Sequence, residues 1–83
     1  MSADKSLRIL YFAAFHDLTG RREELWNSGA ATAAELYAEM AARYRFPMDR
    51  SVLQVACNDR IVPWSTELKD GDLVAFLAPF AGG

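Results

Sequence analysis

The sequence has one cysteine, Cys57, and one histidine, His16, among 83 residues. A lone cysteine excludes an internal disulfide and a cysteine-based zinc site built from one chain. No excess of basic residues is present: 9 Lys and Arg face 11 Asp and Glu, for a net charge of −2. Nucleic-acid binding, which needs a basic stripe to displace counterions from phosphates, is therefore disfavoured. No segment approaches the ~20 apolar residues that span a bilayer, and Met1–Ser6 has no apolar run resembling a signal peptide, so a cytoplasmic protein with no membrane partner is expected. Internal repeats and low-complexity segments are also missing.

What is present is enough apolar material for one modest core. Hydrophobic residues make up 52% of the chain, with five Phe, three Tyr and two Trp. That length suits a single domain over residues 1–83.

The C-terminal segment organises the rest. Leu73-Val74-Ala75-Phe76-Leu77 is apolar on both faces, as in a strand buried mid-sheet, and no charged side chain follows Asp72. Pro79 has no N–H for a ladder and biases Ala78 to an extended conformation, so residues 78–83 are expected to project as a tail. Five residues reach roughly 16 Å at ~3.3 Å each. Gly82 and Gly83 leave no side chain beside the terminal carboxylate, which could then enter a narrow slot. A loose, functionless end is the alternative, but a terminal Gly-Gly pair arises by chance in only about one chain in 200.

Along the chain, Ser6–Phe12 reads as a central strand, with Leu7, Ile9 and Tyr11 on one face and Leu10 and Phe12 on the other, both faces buried at its far end. Ala13–Leu18 reads as a short helical turn ended by Gly20. Arg21–Trp26 is expected to be an edge strand, protected from stray pairing by Glu23 and Glu24, with Asn27-Ser28-Gly29 as a turn.

Thr32-Ala33-Ala34-Glu35 forms a capping box, predicting a helix from about Ala33 to Arg45. Leu36, Met40 and Tyr44, flanked by Ala33, Tyr37 and Ala41, give that helix an apolar stripe that needs a sheet to lie on. Val52–Cys57 and Arg60–Val62 read as strands around an Asn58-Asp59 turn, and Trp64–Leu68 as a crossing loop. Lys69-Asp70-Gly71-Asp72 is a tight turn feeding the last strand.

The order of strand, strand, helix and two or three further strands fits an α+β fold: a β-grasp, ubiquitin-like mixed sheet of four to five strands covered by one main helix, with the first and last strands adjacent and parallel. The side chains present no catalytic constellation. His16 reads as a surface residue, Cys57 as a buried inert thiol, and Asp70 and Asp72 as turn formers. The terminal carboxylate remains as the reactive group. Joined to AMP it becomes a mixed anhydride open to a sulfur or nitrogen nucleophile.

The segments Asp70-Gly71-Asp72, Leu73–Leu77 and Pro79-Phe80-Ala81-Gly82-Gly83 resemble the MoaD/ThiS family of sulfur carriers. Leu10-Tyr11-Phe12-Ala13 leading to Gly20, and Val55-Ala56-Cys57-Asn58, are similar to that family's first-strand and third-strand segments on its molybdopterin synthase branch. Two departures are visible: His16-Asp17 where an Arg-Glu pair is commoner, and Ala78-Pro79 where two prolines are commoner.

The resemblance implies that Gly83, preceded by Gly82, is adenylated by an ATP-dependent E1-like activating enzyme and converted to a thiocarboxylate. It also implies docking to the large catalytic subunit of molybdopterin synthase in a heterotetramer, with sulfur passing to a pterin precursor for molybdenum cofactor biosynthesis. No cofactor or metal would be bound to this chain, ATP being used by the activating enzyme, and the catalytic side chains would belong to the partner. Partner-binding residues would be Phe80, Ala81, Pro79 and an exposed face near Phe76. Ordering five tail residues costs on the order of 5–10 kcal/mol, against about 2–3 kcal/mol from burying Phe80. The exposed face and backbone hydrogen bonds along the tail are therefore expected to make up the difference, and Phe80→Ala to weaken docking without unfolding the domain. Three rival roles stand beside this one: a sulfur carrier for thiamine synthesis or tRNA thiolation, a protein-modifying ubiquitin-like tag, and a plain interaction domain with an incidental Gly-Gly.

Overall fold

The computed structural model describes residues 4–78. Pro79, Phe80, Ala81, Gly82 and Gly83, which carry most of the predicted tail, lie outside the described residues.

Five strands form one mixed sheet in the order β2-β1-β5-β3-β4. They are β1 (Lys5–Leu10), β2 (Glu23–Ser28), β3 (Gln54–Cys57), β4 (Arg60–Val62) and β5 (Leu73–Leu77). Helix α1 (Ala14–Thr19) follows β1, and α2 (Ala33–Tyr44) crosses from β2 toward β3. The last strand sits at the centre, parallel to β1 with Ile9 opposite Val74, and antiparallel to β3 with Val55 opposite Phe76. This is the β-grasp arrangement the order of elements predicts.

Alternation decides what lies under the helix. Leu7, Ile9, Val55, Val74 and Phe76 turn to the face that α2 covers with Ala33, Leu36, Tyr37 and Met40, and all of these are buried. Fully burying each large apolar side chain contributes about 1.5–3 kcal/mol, so this layer dominates stability. Phe15 from α1 and Phe46 just past α2 close the end of the core, their rings 4.9 Å apart at 79°.

The start of α2 is satisfied by chain far away in sequence. Thr32 Oγ1 accepts from the Glu35 N–H as a capping box requires, but Glu35 Oε1 accepts from the Ala31 N–H at 2.9 Å, not from Thr32. The Ala33 and Ala34 N–H groups donate to the Thr66 and Trp64 carbonyls, so the crossing loop caps the helix. Arg45, in the left-handed region at φ 59°, ends it.

Four expectations shift. β2 runs two residues later than predicted, so Asn27 and Ser28 belong to the strand and not to a turn: Ser28 pairs with Lys5, and its hydroxyl donates to Glu39 from a buried position. The short helical turn expected over Ala13–Leu18 is α1 itself, a six-residue helix shifted to Ala14–Thr19. β3 begins at Gln54 because Arg50–Val52 form a 3-10 turn capped by Asp49. β1 ends at Leu10, and the face carrying Leu10 and Phe12 is not buried: Phe12 is 51% exposed. The fold has one long helix, and one helix covers one face.

Candidate functional site

The uncovered face is the site. Register sets Leu10 beside Ala75, Ala75 beside Ala56, and Ala56 beside Ile61, making an apolar row across four strands. Leu73 and Leu77 flank Ala75 on β5, since alternate residues share a face. These residues and Phe12 line a shallow depression of about 230 Å³ bordered by Asp59. Ile61 is 54% exposed. Phe12 and Ile61, each more than half exposed, with the partly exposed Leu10, Leu73 and Leu77 between them, make an apolar patch of the kind that suits an interaction surface.

A second groove of about 500 Å³ shares Leu10 and Phe12 with the first and is walled by Ala13, His16, Arg22 and Glu23. Phe12 stands between the two. Its loop is held by an unusual backbone: Ala13 has φ 48° and ψ −120°, a region glycine normally occupies, and α1 begins there without a side-chain cap.

The hairpin at the other side of the face is tied to β5 by hydrogen bonds. Asn58 and Asp59 both have positive φ, 53° and 70°, as a two-residue type I′ connection requires. Asn58 bonds to β5 with both backbone and side chain: its N–H donates to the Leu73 carbonyl at 2.7 Å, and its Oδ1 accepts from the Leu73 N–H at 3.0 Å. Asp72 receives hydrogen bonds from the Lys69 N–H, the Asn58 amide and the Cys57 thiol. Burial acts to raise its pKa, but these donors outweigh it and hold the carboxyl below its ordinary range. Burial, then the Asp72 charge and hydrogen bond, push the Cys57 thiol up, which fits an inert thiol.

Phe76 requires correction. It is 1% exposed and lies in the core against Tyr37, Trp64 and Phe15, so its ring belongs to the core and not to an exposed face. The β5 residues that turn to the uncovered face are its neighbours Ala75 and Leu77, one step out of phase. Asp70 behaves as a turn former, accepting from the Ser6 N–H at 2.7 Å. His16 is partly exposed with Asp17 as its nearest acid, at 3.8 Å. Among the described residues no group of three or more His, Cys, Asp and Glu could hold a metal, and no helix is long and apolar enough to cross a membrane.

A signal for Leu10, Phe12, Ile61, Leu73 and Leu77 was available in the chain. Apolar residues on both faces of β1 and β5, with only one long amphipathic helix to cover them, leave one apolar face without a lid.

The model of the ThiS family matches residues 9–83. The chain belongs to the ThiS family. It is 30% identical over 80 residues to the molybdopterin synthase sulfur carrier subunit of Haemophilus influenzae, covering 93% of this chain and 99% of that one. With the protein of the same name from Mycobacterium tuberculosis it shares 34% identity, over 93% of this chain and 96% of the other. Among solved structures, one described as subunit 1 of a molybdopterin converting factor, from Pyrococcus furiosus, superposes with a TM-score of 0.77 at 32% identity, covering 90% of this chain and 98% of that one. The fold also matches a chain in the complex of subunits 1 and 2 of the molybdopterin-converting factor from Helicobacter pylori, with a TM-score of 0.65 at 24% identity, over 94% of this chain and 99% of that one.

Proposed function

We propose that this ThiS-family chain is the sulfur-carrier subunit of a molybdopterin synthase. The observation that carries the reading is the place of β5: it is the central strand, one of its faces is the uncovered apolar surface, and it leads in sequence directly into Ala78 and the Pro79–Gly83 segment. The shared name of relatives at 30–34% identity supports the pathway.

On this reading an ATP-dependent, E1-like enzyme joins the Gly83 carboxylate to AMP with release of pyrophosphate. A sulfur nucleophile displaces AMP, leaving a thiocarboxylate at Gly83. The row Leu10-Ala75-Ala56-Ile61 docks on the large catalytic subunit, with Pro79, Phe80 and Ala81 as tail contacts. Sulfur then passes to the pterin precursor, and Gly83 returns as a carboxylate ready for another cycle. The domain binds no cofactor itself; it supplies the donor atom and the docking surface.

Intact mass spectrometry after incubation with ATP, an activating enzyme and a sulfur donor tests this. Exchange of one oxygen for sulfur, about 16 Da, is expected at Gly83, and one residue added after Gly83 is expected to abolish it. Ile61→Asp is expected to weaken binding to the large subunit by tenfold or more, on the order of 1.4 kcal/mol, while leaving the melting midpoint near that of the parent. A chain that is never thiocarboxylated, or that docks equally well with Asp at position 61, overturns the reading.

A further inference from the structure

The sheet has two outer edges, β2 and the three-residue β4, and β2 is the longer. Among the described residues β2 pairs with β1 alone. The Tyr11 N–H donates to the Arg22 carbonyl at 2.9 Å, one step beyond the Leu10 and Glu23 pair, and this fixes the phase of the ladder. Arg22, Glu24, Trp26 and Ser28 direct their backbone groups inward to β1, so Glu23, Leu25 and Asn27 direct theirs outward. The three side chains share the open face, and Leu25, at 71%, is the most exposed large apolar residue described.

We propose that β2 is a self-recognition edge: two copies of this chain pair antiparallel about a two-fold axis at Leu25, joining their sheets into one. In that register Leu25 faces the partner's Leu25, and Glu23 faces the partner's Asn27. Every outward N–H and C=O of the three residues is then used, as a two-fold, self-complementary contact demands. The Asn27 amide can donate to the opposing Glu23 carboxylate, and no like charges meet.

Other registers are worse for definite reasons. Centring on Glu23 sets two carboxylates against each other. Centring on Asn27 places Leu25 opposite Gly29 and forfeits the apolar pair. Centring on Glu24 sets the two Glu24 carboxylates against each other, and centring on Trp26 parts the two leucines, placing each Leu25 opposite an Asn27. The Glu23-Glu24 pair therefore bars two registers instead of all pairing, and the Leu25 pair favours one of those that remain. Because β2 is separated from β5 by β1, this contact leaves Ala56, Ile61 and Leu77 uncovered. It is independent of the sulfur-carrier reading.

Sedimentation velocity of the full chain tests it. A contact of one strand per copy falls at the small, weak end of interfaces, so a monomer at about 10 μM and a dimer approaching about 1 mM are expected. Leu25→Asp and Leu25→Lys, each checked for an unchanged melting profile, are expected to be monomeric throughout because like charges then meet at the axis. An equimolar mixture of the two is expected to recover the dimer, and Ile61→Asp to retain it. A parent chain that stays monomeric at about 1 mM, a dimer that survives Leu25→Asp, or a mixture of folded variants that fails to associate overturns the proposal.

Discussion

Phe76 lies almost parallel to Trp64, their ring centroids 5.9 Å apart and their planes 13° from each other. The contact joins the central strand to the crossing loop, and through the Trp64 carbonyl to the first turn of α2. Strand, loop and helix are thus tied at one point.

Phe76→Ala is therefore expected to destabilise the domain by about 3–5 kcal/mol, the range for removing a buried phenyl ring and leaving a cavity. Urea unfolding followed by far-UV circular dichroism measures this. A loss of less than about 1 kcal/mol would mean that the ring is not packed as described.

Stability is expected to depend on Asp72 in acid. Its folded carboxyl is held below the ordinary range, so its contribution is fully present above the unfolded value, about 3.9, and is lost as pH falls through the lower folded value. Asp72→Asn should therefore lower the urea midpoint at pH 7 and differ less from the parent near pH 2. The exposed Asp49, also lowered by its hydrogen bonds to Ser51, retains some slope in the variant. Equal midpoint differences at both pH values would remove Asp72 from this role.

Ala13→Gly is expected to stabilise the domain by about 1 kcal/mol. At φ 48° and ψ −120° the alanine Cβ is strained by about 1–3 kcal/mol, whereas glycine costs about 0.5–1 kcal/mol more in unfolded-state entropy. The difference in melting midpoint decides the sign. A fall on substitution would show that the methyl group makes contacts worth more than the strain.

The order of elements, the Thr32 N-cap, the Asn58-Asp59 turn and the central place of Leu73–Leu77 could all be read from the chain, because each depends on local preference or on a period of two or 3.6 residues. Phases and boundaries could not. Phe76 and Leu77 look equally apolar in sequence, and only the strand's phase relative to α2 buries the first and leaves the second partly exposed on the other face. Ser28 reads as a turn residue until Glu39, brought close by the packing of α2, supplies an acceptor for its hydroxyl. The sequence by itself pointed to an α+β, β-grasp domain with one main helix, whose last strand leads in sequence into Gly82-Gly83, since the order of elements and the apolar periods favour that arrangement. Tertiary structure alone decided which face stays open, because a single long helix covers one side of a five-stranded sheet and only the phase of each strand relative to that helix says which side.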